Sequence, residues 1–336
     1  MVTVDIFAAQ VPTDDSGQRR WAEMLDSLVA LLPDNCECVL VDGPEQQAAL
    51  FAARLATELA GPQHGAVQVT VDAGEDWDVS ISLRTAPGGR HFPVYQKDGE
   101  MQRTLDRRER EERADIVIDL HDLGWPVIRR VAAPLAGRGS WYLTETRAFF
   151  ACRAATWDTK FGDDLPAYRA AVAEAGIRRS GVVIDVGCGT GRALPPLREA
   201  VGPAGTVIAV DVTPEMLQVA RPAVQLAGAG MVVADARALP FADGSVDGIF
   251  AAGLINHLPD TAAGLLELAR VTSPGGLLVL FHPSGRAALA ARHGHTVSPD
   301  EPLSEAPLRR FTSATGWTLK AYDDAPKRFF AVAERR

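Results

Sequence analysis

Several features that mark particular classes of protein are scarce in this sequence of 336 residues. It has four cysteines, Cys36, Cys38, Cys152 and Cys188, whose scatter fits a reduced, intracellular protein better than a disulfide scaffold. Cys36 and Cys38 form too small a cluster for a zinc site, and no second pair matches them, so we expect no metal. No apolar run approaches about 18 residues, and no signal peptide pattern is visible at the N-terminus. We therefore expect a cytoplasmic protein that does not contact membranes.

Basic charge is also in short supply. Lys and Arg number 34 against 43 Asp and Glu, which gives a formal net charge of −9. Binding to nucleic acid or to an anionic membrane needs a basic surface, so we expect neither partner and instead a small-molecule substrate. Hydrophobic residues make up 47% of the chain, which is ample for buried cores. The length favours two domains.

One stretch in the second half of the chain organises the rest. An apolar, mostly β-branched run leads into Asp185, and Gly187, Gly189 and Gly191 follow at alternate positions. The run predicts a buried strand, and the glycines predict a tight turn whose backbone can approach a ligand closely. Residues Arg192–Val201 predict a helix. A strand, a glycine turn and a helix together indicate a nucleotide-binding unit, with backbone N–H groups at the helix start facing the ligand.

The spacing of the glycines indicates which nucleotide is bound. A dinucleotide site needs G-x-G-x-x-G, whereas Arg192 stands here in the place of the last glycine and the pattern is G-x-G-x-G. The anionic side chain of Asp185 suits a cationic ligand better than a pyrophosphate. With this turn and the motifs after it, residues 149–332 resemble the class I S-adenosylmethionine-dependent methyltransferases of the ubiquinone-biosynthesis-like branch. The resemblance implies an α/β fold, with a mostly parallel, Rossmann-like sheet and an antiparallel edge strand in a domain at 141–336.

The resemblance also implies S-adenosyl-L-methionine as cofactor and S-adenosyl-L-homocysteine as product. An acid at the end of the second strand, Asp211, lies 20 residues beyond Gly191 and would accept from the ribose hydroxyls. Helix capping ahead of Pro214 is the alternative for Asp211. Trp157 precedes an acid where the family has a lid over the cofactor, although a core position is equally consistent with this aromatic residue. The cofactor-binding residues predicted are Trp157, Asp185, Gly187, Gly189, Gly191, Asp211, Val212, Met216, Asp235, Ala236 and Ala252.

Histidines provide the candidates for catalysis. Methyl transfer from a sulfonium is an in-line displacement, so the protein mainly positions the acceptor, and a base is needed only when the acceptor carries a proton. His282, after the fifth strand, is the first candidate for a base, and His257 is the second, although a histidine there often packs or holds the cofactor. Asn256, Arg286 and His293 are predicted to bind substrate. A solvated surface loop is the alternative for His293.

The N-terminal region, residues 1–140, is predicted to be a smaller α/β domain. A short apolar strand leads into Gly43 and a helix, and this shape resembles the start of uridine-kinase-like P-loop proteins. Against G-x-x-x-x-G-K-[ST], the second glycine, the lysine and the hydroxyl residue are replaced by Ala48, Ala49 and Leu50, so the loop cannot cradle phosphates in that way. We expect a degenerate domain used for packing, for homodimer formation or for shaping the acceptor site.

Two further segments are predicted from their composition. Residues 102–113 carry dense charge of both signs and indicate an exposed helix. Residues 134–148 indicate the join between the domains. The function predicted is transfer of a methyl group to an O, N or C acceptor on a small molecule, such as a specialised metabolite in natural product biosynthesis. The alternatives are a protein that keeps the cofactor as a structural ligand and an enzyme that uses the sulfonium for cyclisation or rearrangement.

Overall fold

The computed structural model describes residues 15–60, 67–71, 77–84, 113–137, 140–160, 164–292 and 296–336. The chain divides into two compact units, which we call unit 1, Met1–Ala148, and unit 2, Phe149–Arg336. The division falls eight residues beyond the boundary predicted at 140.

Unit 1 is built on a five-stranded sheet. In chain order its elements are α1 Asp15–Val29, β1 Cys38–Asp42, α2 Glu45–Leu59, β2 Gln68–Thr70, β3 Val79–Arg84, β4 Ile116–Asp119, β5 Val127–Val131, α3 Ala133–Ala136 and α4 Trp141–Ala151, whose last three residues belong to unit 2. Among the described residues the strand order is β2-β1-β3-β4-β5, with β1 to β4 parallel and β5 antiparallel to β4. The predicted α/β architecture of the first half is confirmed.

A buried ion pair crosses unit 1. The Arg20 guanidinium on α1 contacts the Glu145 carboxylate on α4, and both side chains are almost fully buried. Arg20 Nε also donates to the carbonyl of Pro126 at 2.8 Å, and Glu145 accepts from the N–H of Ile128 at 2.7 Å. Buried charges need partners of this kind because desolvation is costly. The pair therefore links two helices to the start of β5.

The segment predicted as a join between the domains, residues 134–148, is mostly helical and contains most of α3 and α4. Within α4, Trp141, Tyr142, Glu145 and Ala148 are buried, and their spacing places them on one helical face. Glu145 lowers the apolar character of this face, but its charge is paired inside the fold. The sequence pattern is therefore obscured by a buried polar residue whose partner lies 125 positions away.

The turn after β1 leaves no room for a phosphate loop. Helix α2 begins at Glu45, two residues after Gly43, and a Cβ atom at Gly43 would lie 2.9 Å from the Cβ of Leu83 on β3. The turn is thus packed against the neighbouring strand. The resemblance to P-loop kinases stays a prediction, and the predicted helix at 102–113 lies almost wholly outside the described residues, which resume at Arg113.

Unit 2 contains a seven-stranded sheet. After α4, its elements are α5 Leu165–Ala175, β6 Val182–Val186, α6 Leu194–Val201, β7 Thr206–Asp211, α7 Pro214–Ala227, β8 Gly230–Val233, β9 Val246–Ala252, α8 Thr261–Val271, β10 Thr272–His282, α9 Arg286–Arg292, α10 Glu305–Ala314, β11 Trp317–Ala325 and β12 Arg328–Arg335, with short 3₁₀ turns at Ala154–Thr156, Asp158–Lys160 and Ile255–His257.

The strand order of unit 2 is β11-β12-β10-β9-β6-β7-β8. The five strands from β8 to β10 are parallel, in the order of a doubly wound sheet, and β12 and β11 add an antiparallel edge. Apolar residues of β6, β7, β9 and β10 form the core with α5, α6 and α7. The predicted Rossmann-like fold is confirmed, and the carboxyl ends of β6, β7 and β9 meet at one edge.

The strand β10 contains an irregularity near its start. It begins at Thr272, directly after α8, and includes Pro274, Gly275 and Gly276. The pairing of β10 with β9 shifts register between Thr272 and Leu277, so the residues between these two form a bulge.

Candidate functional site

The glycine turn after β6 has backbone φ angles that residues other than glycine rarely adopt. Gly187, Gly189 and Gly191 have φ angles of +70°, +53° and +84°. A Cβ atom at Gly191 would lie 3.0 Å from the Cβ of Ala223, so that glycine allows α7 to pack closely. A Cβ at Gly189 would meet no atom within 4 Å. Gly189 therefore borders open space, where a ligand can approach the backbone.

Asp211, at the end of β7, is tied to this turn. Its Oδ2 accepts from the N–H of Gly189 at 2.9 Å, and its Oδ1 accepts from the N–H of Thr213 at 2.8 Å. Burial raises the pKa of this carboxyl, and hydrogen bonds from Thr213, Gly189 and Val212 oppose that effect. A carboxylate oxygen can accept more than one hydrogen bond, so the predicted contact with ribose hydroxyls is compatible with this geometry.

Asp185 lies fully buried at the end of β6. Its Oδ2 has no hydrogen-bond partner within the protein, which is unusual for a buried polar atom. Burial, and then the negative charge of Asp211, raise the pKa of Asp185 to about 8. Two neighbouring carboxyls, one of them unsatisfied, fit a ligand that carries positive charge and hydroxyl donors. S-adenosylmethionine has both, and Asp185, Asp211 and the glycine turn would hold it.

The residues predicted for the adenine end lie around the next two strand ends. Met216 is buried in the first turn of α7, and Val212 is half-buried. Ala236 is buried, whereas Asp235 is half-buried and its carboxylate accepts from Arg237 Nη2 at 2.8 Å. An adenine amino group would therefore share Asp235 with Arg237. Sequence analysis missed Arg237, although its position two residues after an acid was a usable signal.

An aromatic cluster, Phe150, Trp157 and His257, joins two candidate residues that are far apart in the sequence. The Phe150 ring lies 5.4 Å from the Trp157 ring and 5.0 Å from the His257 ring, centroid to centroid, and both pairs are edge-on. Phe150 was not predicted as a site residue, although the Phe149–Phe150 doublet was a visible signal. The contact is consistent with the packing role that was the alternative for His257.

The segment that carries Trp157 is fastened to the glycine turn by a set of contacts that we call the Asp158 clasp, made of Asp158, Asp164, Thr190 and Arg192. Thr190 Oγ1 donates to Asp158 Oδ1 at 2.6 Å, and Arg192 Nε donates to the same oxygen at 2.9 Å. Arg192 also contacts the Asp164 carboxylate. The residue that replaces the third dinucleotide glycine thus holds the preceding segment in place.

His282 lies at the carboxyl end of β10, beside Ala252 at the end of β9. Its Nδ1 is 2.9 Å from the carbonyl oxygen of Ser284 and 3.1 Å from the N–H of Ser284. When Nδ1–H donates to this carbonyl, Nε2 carries the lone pair that a general base needs. His282, Ser284, Gly253 and the exposed Asn256 line one cavity. The structure therefore brings the predicted base together with two predicted substrate residues, Asn256 and Arg286.

Arg286, predicted to bind substrate, lines the same cavity as His282 and is held by several partners within the protein. Its side chain is buried, and its Nη2 donates to Ser304 Oγ at 2.7 Å and to Glu301 Oε2 at 3.0 Å. Its backbone N–H donates to Asp324 on β11 at 2.8 Å. These partners make Arg286 a structural link between the start of α9 and β11. His293 lies outside the described residues.

Metal-binding clusters and membrane-spanning helices are both absent from the parts of the chain that the structure describes. There, no group of three or more His, Cys, Asp or Glu side chains is placed to hold a metal ion. No helix among the same residues has the length and apolar character needed to span a membrane.

Comparisons with known proteins agree with the ligand-binding role that the glycine turn indicates. Residues 184–280 match the family described as a methyltransferase domain. A demethylmenaquinone methyltransferase of Staphylococcus aureus is 35% identical over 112 residues, which are 33% of this chain and 46% of that protein. An uncharacterized 37.1 kDa protein in transposon TN4556 of Streptomyces fradiae is 36% identical over 123 residues, 36% of each chain.

The chain thus spans less than half the length of these two curated relatives. A solved structure, a SAM dependent methyltransferase from Aquifex aeolicus, is 25% identical with a TM-score of 0.47, and the alignment covers 55% of this chain and 98% of that one. Residues 184–280 of unit 2 thus match a methyltransferase domain, and this match agrees with the strand order and with the G-x-G-x-G turn and its two buried acids.

Proposed function

We propose that the protein transfers a methyl group from S-adenosylmethionine to a small-molecule acceptor. The observation that carries this proposal is the unsatisfied buried carboxyl oxygen of Asp185, beside Asp211 and the open face of Gly189. A cationic nucleoside with two sugar hydroxyls satisfies both acids. The match of residues 184–280 to a methyltransferase domain supports the same reading.

The residues of this chain have three tasks in such a reaction. The bound cofactor supplies an activated methyl group on a sulfonium, so the protein has to hold it, orient the acceptor and exclude water. Orientation of this kind can contribute about 7–11 kcal/mol to lowering the barrier. The aromatic cluster and the Asp158 clasp would cover the cofactor, and the cavity beside His282 would receive the acceptor.

His282 would act as the base when the acceptor carries a proton. The carbonyl of Ser284 can hold the Nδ1 proton, which leaves Nε2 to accept a proton from an acceptor O–H or N–H group. Asn256 lines the same cavity and would orient the acceptor. An acceptor that loses no proton would not need His282.

The acceptor is proposed to be a small molecule, such as a specialised metabolite, because the net charge of −9 does not suit nucleic acid. One relative is named for its action on demethylmenaquinone, so that compound belongs in the set of acceptors to test. We also propose that the protein works in the cytoplasm and that unit 1 serves packing or formation of a homodimer.

Calorimetric titration with S-adenosylmethionine and S-adenosylhomocysteine tests the first step. Binding of both is expected, and the failure of both to bind would overturn the proposal. Mass spectrometry of acceptors incubated with the full chain and cofactor tests the second step. A product heavier by one methyl group supports methyl transfer, whereas a rearranged product of unchanged mass would point to the other use of the sulfonium.

A further inference from the structure

We propose that Asp185 carries a proton in the ligand-free protein and releases it to solvent when the positively charged cofactor binds. The inference rests on the proposed function, since it assumes that the ligand of this site is S-adenosylmethionine. Cofactor binding would then be coupled to proton release, and the charge of the pocket would stay nearly constant. The proton leaves as the ligand's cationic group arrives.

The two acids, Asp185 and Asp211, have unequal environments. Asp185 and Asp211 end neighbouring parallel strands, and both side chains are buried. Both oxygens of Asp211 accept backbone N–H groups, from Gly189 and Thr213, which stabilise its negative charge. Asp185 Oδ2 accepts none. When two close carboxyls cannot both be ionised, the proton belongs on the one with less stabilisation, and that is Asp185.

Other titratable groups surround Asp185 and Asp211, and their charges decide what can balance an ionised Asp185. Cys188 from the glycine turn and Tyr168 from α5 lie near Asp185. Burial is the main cause that raises the pKa of both side chains, and the negative charge of Asp185 raises each of them further. Neither side chain supplies a positive charge. The nearby cation, Arg192, is held by Asp158 and Asp164 in the clasp. The charge that balances an ionised Asp185 therefore has to come from the ligand.

Linkage gives the sign of the effect. Burial and Asp211 raise the pKa of Asp185 to about 8, so at lower pH its proton must leave before a cation can take its place. Affinity for the cofactor should rise up to tenfold per pH unit as the pH increases toward 8, and then level off. A ligand α-amino group has an ordinary pKa of about 7.7–8.0, so at pH 6.5 it is already protonated and adds little to the proton count.

The experiment is calorimetric titration of the full chain with S-adenosylmethionine at pH 6.5, in two buffers of different ionisation enthalpy. The dependence of the observed heat on the buffer gives the number of protons released. We expect close to one proton per bound ligand, and none for Asp185→Asn. Asp243→Asn is the matched control, because Asp243 is an exposed acid paired with Arg270, and it should keep the release.

S-adenosylhomocysteine lacks the sulfonium but keeps the α-ammonium group. Proton release with both ligands would assign the ammonium to Asp185, and release with S-adenosylmethionine alone would assign the sulfonium. If Asp185→Asn fails to fold, infrared difference spectra of the natural protein decide the matter. Loss of a protonated carboxyl band on ligand addition supports the proposal. Tight binding without proton release or loss of that band overturns it, whereas no binding at all would instead refute the proposed function.

Discussion

Asp211 accepts hydrogen bonds from the glycine turn and from the start of α7, and it is also the acid predicted to hold the ribose. Asp211→Ala removes these acceptors, and each hydrogen bond to a charged group contributes about 1.5–3 kcal/mol. We expect the affinity for S-adenosylmethionine to fall roughly 10- to 100-fold, measured by calorimetry. Asp235→Ala should weaken binding less, because Asp235 is shared with Arg237. Unchanged affinity of a folded Asp211→Ala variant would mean that the ribose lies elsewhere.

His282 is the side chain on which the chemical step is expected to depend. His282→Gln keeps a polar group of similar size but cannot accept a proton at neutral pH. We expect kcat to fall about 10²- to 10⁴-fold with little change in the affinity for the cofactor. His257→Gln is the control, since His257 packs on Phe150 and its loss should alter cofactor binding more than kcat. Equal losses of kcat in both variants would argue against a base at His282.

Among the elements, the 3₁₀ turns before α5 depend on the glycine turn through the Asp158 clasp. Asp158→Asn and Arg192→Gln should each speed the release of cofactor, because the segment carrying Trp157 is no longer fastened. Stopped-flow measurements on the two single variants and the double variant should give a coupling energy on the order of 1 kcal/mol. Arg328→Gln, which removes an ion pair with Glu174, should leave the release rate unchanged. Strictly additive effects of the two clasp variants would contradict this interpretation.

The ion pair between Arg20 on α1 and Glu145 on α4 predicts that replacing Arg20 lowers the stability of unit 1 strongly. Arg20→Met leaves Glu145 buried without its cation, and loss of one partner of a buried pair costs about 3–5 kcal/mol. The double variant Arg20→Met/Glu145→Met should recover part of that loss in urea unfolding. If the double variant is the less stable one, the pair is not the source of the effect.

The pH dependence of this variant follows from Glu145. Burial raises the pKa of Glu145 even with Arg20 present. Ionisation of Glu145 therefore opposes folding, and the free energy of unfolding should fall as the pH rises through the ordinary pKa of a glutamate. Without Arg20 the opposition should grow, and the loss of stability in Arg20→Met should be smaller in mild acid than at neutral pH.

At the scale of the whole molecule, the excess of acidic residues sets the expected partners. With a formal net charge of −9, the chain should not bind a labelled single-stranded RNA in a gel-shift assay at low salt, where electrostatic attraction is strongest. A shift that disappears on adding salt would reveal a basic patch that the total charge hides, and would reopen the question of the substrate.

Much of unit 2 was predictable because its signals are local. The predicted strand before Gly187 and the predicted helix Arg192–Val201 correspond to β6 and α6, and Asp211 is the last residue of β7, as predicted. In unit 1, β3 was not predicted, since its serines break the apolar run that marks other buried strands. Helix α4 was missed because the ion pair of Glu145 joins residues far apart in the chain.

The sequence by itself determined the glycine turn and the acids at the ends of β6 and β7, because backbone conformation and the end of a strand depend on neighbouring residues. Only the tertiary structure decided that Arg286 binds Glu301 and Ser304, and that Phe150 connects Trp157 with His257. Such contacts join side chains from separate elements, so they depend on how the elements pack. The burial that leaves Asp185 unsatisfied is set by that packing in the same way.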